Sequence, residues 1–144
     1  MDYFKVTQDE LDPAAYLILV MRPEFGAVAS FMGTVRSPNA GETVDYIDYE
    51  GYESMIETQM GVLAKELRDT FDLGHIVFAH RLGRLKPGEA SIAIVISSKH
   101  RKDALAACQR GIDRVKELLP VWKHEVTDKG TVWVEGSTKA GIPL

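Results

Sequence analysis

One cysteine, Cys108, is all the sulfhydryl chemistry this chain of 144 residues carries. An internal disulfide is thereby excluded, and so is a zinc site built on cysteines. The four histidines, at 75, 80, 100 and 124, show no HxxxH or HxH spacing, so no metal site is expected. Long apolar runs are also missing; the longest falls far short of a membrane span. The opening "MDYFKVTQDE" has no basic region followed by an apolar stretch, so no secretory signal is expected. Positive charge is not in excess. Seventeen Lys and Arg stand against 21 Asp and Glu, a net charge of −4, which disfavours wholesale binding to nucleic acid or anionic membrane. GxGxxG and P-loop fingerprints are absent, and Ser97 and Ser98 lack a nucleophile-elbow context. What remains is a cytoplasmic enzyme or binding module, one domain in length.

The order of predicted elements is βα, ββ, α, ββ, α, ββ. "YFKVTQ" reads as a first strand, and Asp12 with Pro13 starts a helix as cap and first helical residue. "GAVASFMGTVR" suits a buried strand ending near Arg36. "SPNAGE" is a loop, and "TVDYIDYEGY" alternates as a strand should. A helix is expected from Ser54 to Phe71, with Ile56, Met60, Leu63, Leu67 and Phe71 on one face. "HIVFAHRLG" and "ASIAIVISS" are strands joined across "RLKPGE", where Pro87-Gly88 suggests a type II turn. A second long helix spans Lys99 to Leu119, ended by Pro120. "VWKHEVT" and "TVWVEG" form a hairpin across "DKG". Hairpin-joined strands interrupted by helices predict an α+β fold. One domain covers 1–136, and 137–144 is expected to be a flexible tail.

Cations collect around the second long helix. Ser98 is the expected N-cap, and His100 and Arg101 fall in the first turn, where the helix dipole disfavours cations. An anion site at this helix start and a solvated, mildly suboptimal start are equally compatible with the pattern. At the other end Leu105, Cys108, Ile112, Val115 and Leu119 share a stripe, with Lys116 expected half-buried at its margin. Lys116 alone reads as a complement to the dipole. In the following strand Val121, Lys123 and Glu125 face one way, Trp122 and His124 the other. Two lysines close together across this junction would depress each other's pKa and could serve as acid or base. Arg36, at a strand end, adds a third anchor for an anion. Residues alone thus give a pocket of Arg36, His100, Arg101, Lys116 and Lys123 without naming a reaction. A small RNA- or nucleotide-binding domain, stacking bases on Phe31, Trp122 or Trp133, is a weaker alternative.

"FMGTVR", "HRLGRLKPGE", "SSKHRKDAL", "IDRVKELLPVWKHE" and "VWVEG", in this order, resemble the large catalytic subunits of molybdopterin synthase, the MoaE family. The resemblance covers roughly Phe4 to Glu135. It implies an α/β hammerhead fold with an additional small antiparallel sheet region. It implies a homodimer in which each chain binds a small ubiquitin-like sulfur carrier ending in a Gly-Gly thiocarboxylate, a heterotetramer in all, with no cofactor. The implied reaction converts cyclic pyranopterin monophosphate (precursor Z) to molybdopterin by two sulfur transfers. Lys116 and Lys123 then match the catalytic lysines. Thr34, Val35, Arg36, His100, Arg101, Lys116, Lys123, His124 and Glu125 match the substrate-binding positions, with His100 and Arg101 contributed across the dimer. The family often carries an arginine after "WVE"; here "GSTKAG" offers Lys139 instead. A module that binds the carrier tail without catalysis is the alternative.

Overall fold

The computed structural model describes residues 1–135, so the expected tail and Lys139 lie outside the described residues. Eight strands and three helices follow one another as β1 (Asp2–Thr7), α1 (Pro13–Val20), β2 (Ala27–Thr34), β3 (Val44–Gly51), α2 (Glu53–Thr70), β4 (Ile76–Arg81), β5 (Gly83–Leu85), β6 (Ala90–Ser98), α3 (Arg101–Leu118), β7 (Val121–Thr127) and β8 (Gly130–Glu135). They form two four-stranded sheets, ordered β1-β4-β6-β2 and β5-β3-β7-β8. Only the β1–β4 pair is parallel among these ladders. The α+β organisation expected from the sequence is the one observed.

Burial on both faces shapes the first sheet. Val77, Ala79, Ala93 and Val95 face α1 and pack with Tyr16 and Val20. Ile76, Phe78, Ile94 and Ile96 point the other way into the main core beneath α2 and α3. β4 and β6, covered on both sides, are therefore almost continuous apolar runs rather than alternating ones. α1 begins as its sequence requires: the Asp12 side chain accepts from Ala15 N at 3.3 Å, and Pro13 takes the first helical position. α2 buries Ile56, Met60, Leu63 and Leu67 completely, at spacings of three and four. Each such side chain contributes about 1.5–3 kcal/mol on burial. Val44, Ile47, Tyr49, Leu85 and Val121 bring one face of the second sheet onto the same core.

Four expectations are corrected. "RLKPGE" is not only a turn. Its beginning forms β5, which pairs with β3 and so leaves the first sheet for the second. The type II turn follows, with Glu89 N bonded to Lys86 O at 3.0 Å and Gly88 at φ +90°. α3 starts at Arg101 with His100 as its N-cap residue, two positions later than Ser98 would put it. Ser98 still satisfies that helix end: its Oγ accepts from Ala104 N at 3.1 Å and donates to the His100 carbonyl. Leu105 is 60% exposed. The buried stripe runs instead through Ala104, Ala107, Cys108, Gly111 and Val115, because only small residues let α3 lie close on β2 and β6. A Cβ on Gly111 would already touch Ile94 and Leu67 at 3.7 Å. Lys116, one step of 100° past Val115, is exposed rather than half-buried.

Candidate active site

The junction between α3 and β7 is the tightest turn near the cations. Pro120 cannot extend the helix, and its fixed φ suits the centre of a three-residue reversal. Val121 N bonds to Leu119 O at 2.9 Å, while Leu119 N still caps the helix on Val115 O at 3.1 Å. The chain thus turns back within one residue. Lys116 on the last helical turn and Lys123 in β7 then line the same cleft. Gly51 makes room for this turn: a Cβ there would stand 2.8 Å from the Pro120 carbonyl oxygen and 2.8 Å from Ile56 Cδ1.

The cleft has two lobes that share Thr34, Tyr49, Lys116 and Lys123. The outer lobe, about 290 Å³, is bounded also by Val35, Arg36, Asn39 and Glu125. The inner lobe, about 180 Å³, runs beneath Phe31, Ile92, Ile112 and Val115 to His80 and Ser91. Together they fall within the roughly 300–1,000 Å³ usual for small-molecule sites.

Polar contacts order the outer lobe. Arg36 Nη2 donates to Asn39 Oδ1 at 2.8 Å, and Asn39 Nδ2 donates to the Glu125 carboxylate at 3.2 and 3.4 Å. Glu125 is buried, and Asn39 ties it to the loop that presents Arg36. That loop is pinned at its start: Val35 N bonds to Glu89 O and Gly88 N to Val35 O, at 2.9 and 2.8 Å. Glu89 in turn pairs with Arg81 at 3.2 Å. The stretch "HRLGRLKPGE" is in large part a brace for the arginine loop. Lys123 has its pKa lowered, chiefly by burial and further by the positive charges of Lys116 and Arg36, with Glu125 opposing. A partly desolvated lysine beside two further cations can hold an anion and can also release a proton more readily than a surface lysine.

Of the residues singled out in the sequence, Thr34, Val35, Arg36, Lys116, Lys123 and Glu125 come together here. His124 does not. It faces away from Lys123 on β7, across from Asp48 on β3. His100 and Arg101 are exposed at the far end of α3, sixteen and fifteen positions before Lys116, or roughly 24 Å along the helix for His100. Within one chain they cannot reach the lysines. Phe31 lines the inner lobe, whereas Trp122 is exposed on the opposite face of β7 from Lys123, so these two make no common stacking platform. The residues that sequence reading missed are Asn39, Tyr49, His80 and Ser91. Each reaches the cleft through partners distant in the chain, which no local spacing announces.

Known proteins are similar to this chain in sequence and fold. The family model described as "MoaE protein" matches residues 6–118, ending just before β7. A molybdopterin synthase catalytic subunit from Pyrococcus abyssi is 40% identical over 120 residues, covering 83% of this chain and 81% of the relative. One from Arabidopsis thaliana is 40% identical over 128 residues; the match covers 89% of this chain but 65% of that longer protein. Among solved structures, molybdopterin synthase from Staphylococcus aureus superposes with a TM-score of 0.87 at 30% identity, covering 92% of this chain and 97% of the other. A complex of subunits 1 and 2 of the molybdopterin-converting factor from Helicobacter pylori gives 0.74 at 25% identity, covering 90% of this chain and 88% of that one.

Proposed function

The chain belongs to the MoaE protein family, and from that membership we infer that it is the catalytic subunit of a molybdopterin synthase, an enzyme of molybdenum cofactor biosynthesis. Its substrate is cyclic pyranopterin monophosphate, and its sulfur comes from the thiocarboxylated Gly-Gly end of a small ubiquitin-like carrier subunit. A partner subunit is in keeping with the two-subunit complex known for the Helicobacter pylori relative. The observation that carries the reading is the placing of Lys116 and Lys123 on either side of the Pro120 turn in one cleft, with Arg36 on its rim.

The chemistry suits those groups. The pterin carries a phosphate and the carrier tail ends in an anionic thiocarboxylate, so one site must tolerate two negative charges. Arg36, Lys116 and Lys123 neutralise them and stabilise the negative charge that grows on the acyl oxygen as sulfur is transferred. Lys123, held with its pKa lowered, exchanges the protons that sulfur addition and ring opening require. The carrier tail enters extended, glycine at its end being the residue that passes a narrow channel without a side chain.

His100 and Arg101 act in the second subunit of a homodimer, where the start of one α3 meets the cleft of the other chain. The roughly 24 Å from His100 to Lys116 along α3 argues against a same-chain role, and the exposed helix start, with His100 as N-cap and Arg101 in the first turn, would gain from an anion nearby. The deciding experiment mixes this chain with thiocarboxylated carrier and cyclic pyranopterin monophosphate and measures dithiolene product. Carrier binding without product would leave a non-catalytic module and refute the reading.

A further inference from the structure

We propose that His80 is a specificity-determining residue of this cleft, its Nε2 accepting a hydrogen bond from the N–H-bearing edge of the bound pterin at the floor of the inner lobe. The inference deepens the function given above and rests on it.

The inner lobe adds hydrogen-bond acceptors to the cations of the outer one, the two lysines bordering both. Arg36, Lys116 and Lys123 can only donate, and all three border the outer lobe. Besides Thr34 and the two lysines, the polar groups of the inner lobe are Tyr49, His80 and Ser91. Ser91 Oγ gives its one proton to the Gly33 carbonyl at 3.4 Å. Ser91 also hydrogen-bonds Tyr49, which holds that hydroxyl at the floor.

His80 completes the pattern. Its side chain is 3% exposed, on β4 between the ladder partners Val6 of β1 and Ile92 of β6. Nδ1 lies 3.0 Å from the Arg81 carbonyl. A carbonyl only accepts, so the proton is on Nδ1 and Nε2 carries a lone pair. Among the described residues no group is bonded to Nε2, and the ring makes an edge-on approach to Tyr49, with centroids 5.8 Å apart. Since His80 borders the inner lobe, that lone pair is offered to the cavity. Burial also pushes the imidazole down to about 4, which keeps the acceptor uncharged in neutral solution.

The His80 acceptor beneath apolar walls, with Arg36 and the lysines at the rim, fits one orientation of a pterin phosphate. The phosphate stays with Arg36 and the lysines, while the amino-pyrimidinone edge, rich in N–H donors, goes inward. A buried site that must hydrogen-bond its ligand rejects ligands lacking the donor, because its own polar group is then left unpaired.

The test compares His80→Leu, which removes the acceptor, with His80→Gln, whose amide oxygen can replace it. Direct titration with cyclic pyranopterin monophosphate should show affinity falling roughly tenfold in the leucine variant and recovering to within about threefold in the glutamine variant. Carrier affinity should be unchanged in both. Equal pterin affinity in wild type and His80→Leu, or no recovery in His80→Gln, overturns the proposal. Should the variants fail to fold, the wild-type protein decides: with ¹⁵N-labelled histidine, the His80 Nε2 resonance should move upfield on pterin binding, and a stationary resonance refutes the role. Wild-type turnover with a stationary resonance sinks only this inference, whereas absence of wild-type turnover sinks the function itself.

Discussion

Lys123 on β7 stands directly across the ladder from Tyr49 on β3, so the most perturbed lysine of the cleft lies beside the buried phenol that closes its floor. Burial holds the Lys123 pKa below its ordinary value, whereas in the unfolded chain it returns to about 10.4. Between the two values the unfolded state binds more protons, so stability rises with pH in that window, and the penalty is complete below the folded pKa. Lys123→Met should then abolish most turnover while leaving the melting temperature at pH 7 unchanged or higher by up to about 4 °C. That advantage should shrink as pH approaches 10. A thermal melt series from pH 7 to 10 checks both; a variant that melts lower at pH 7 contradicts the assignment.

Lys116→Ala and Lys123→Ala should each lower turnover at least about tenfold with the fold intact, since acid–base groups typically contribute 10²–10⁴-fold. Single-turnover product formation with circular dichroism as the fold control measures this. Near-normal rates in both would remove the lysines from the chemistry.

Asn39 tests how Arg36 is held. Its amide donates to Glu125 and accepts from Arg36, so Asn39→Asp keeps the acceptor but sets a carboxylate against Glu125. At pH 8 the aspartate variant should bind the pterin phosphate about tenfold more weakly than wild type and more weakly than Asn39→Ala, through like-charge repulsion. Identical affinities for both variants at pH 8 would mean that the Glu125 contact has no bearing on Arg36.

Gly51→Ala puts a methyl group against the Pro120 carbonyl and Ile56, at distances no Cβ normally adopts. Overpacking of this kind costs about 1–3 kcal/mol. Urea melts should show that loss, and turnover should fall further than stability alone explains, because the displaced turn separates the two lysines. Unchanged stability would show that the junction yields easily.

Mixed dimers test the shared site. His100→Ala/Arg101→Ala chains and Lys116→Ala/Lys123→Ala chains should each be nearly inactive alone. After subunit exchange, half the dimers are mixed and each has one intact site of two, so about a quarter of wild-type turnover should return in a two-fold dimer. Mass spectrometry confirms exchange; exchange without recovery would place both groups in separate functions.

Where local patterning governs, the sequence is legible. The Asp12–Pro13 start, the α2 stripe of Ile56, Met60, Leu63 and Leu67, the Pro87-Gly88 turn and the β7–β8 hairpin all follow from nearest neighbours. The lysine pair was visible because seven residues and one proline fix its geometry. Leu105 misled because residue type says nothing about how closely a helix will approach a sheet; Gly111 and three small partners decided that. β5 was hidden because three residues carry too little periodicity to outvote a turn signal. Tyr49, Ser91 and His80 come from three strands in two sheets, and their meeting is a tertiary fact.

α3 separates its two cationic ends by a fixed number of rigid turns, and that makes its length a matter of phase. Inserting one residue between Arg101 and Lys116 would swing one end about 100° against the other and lengthen the helix by about 1.5 Å. Even a four-residue insertion, which nearly restores the angle, would push the ends about 6 Å further apart. In the proposed two-chain site this helix would be a gauge rod of eighteen residues.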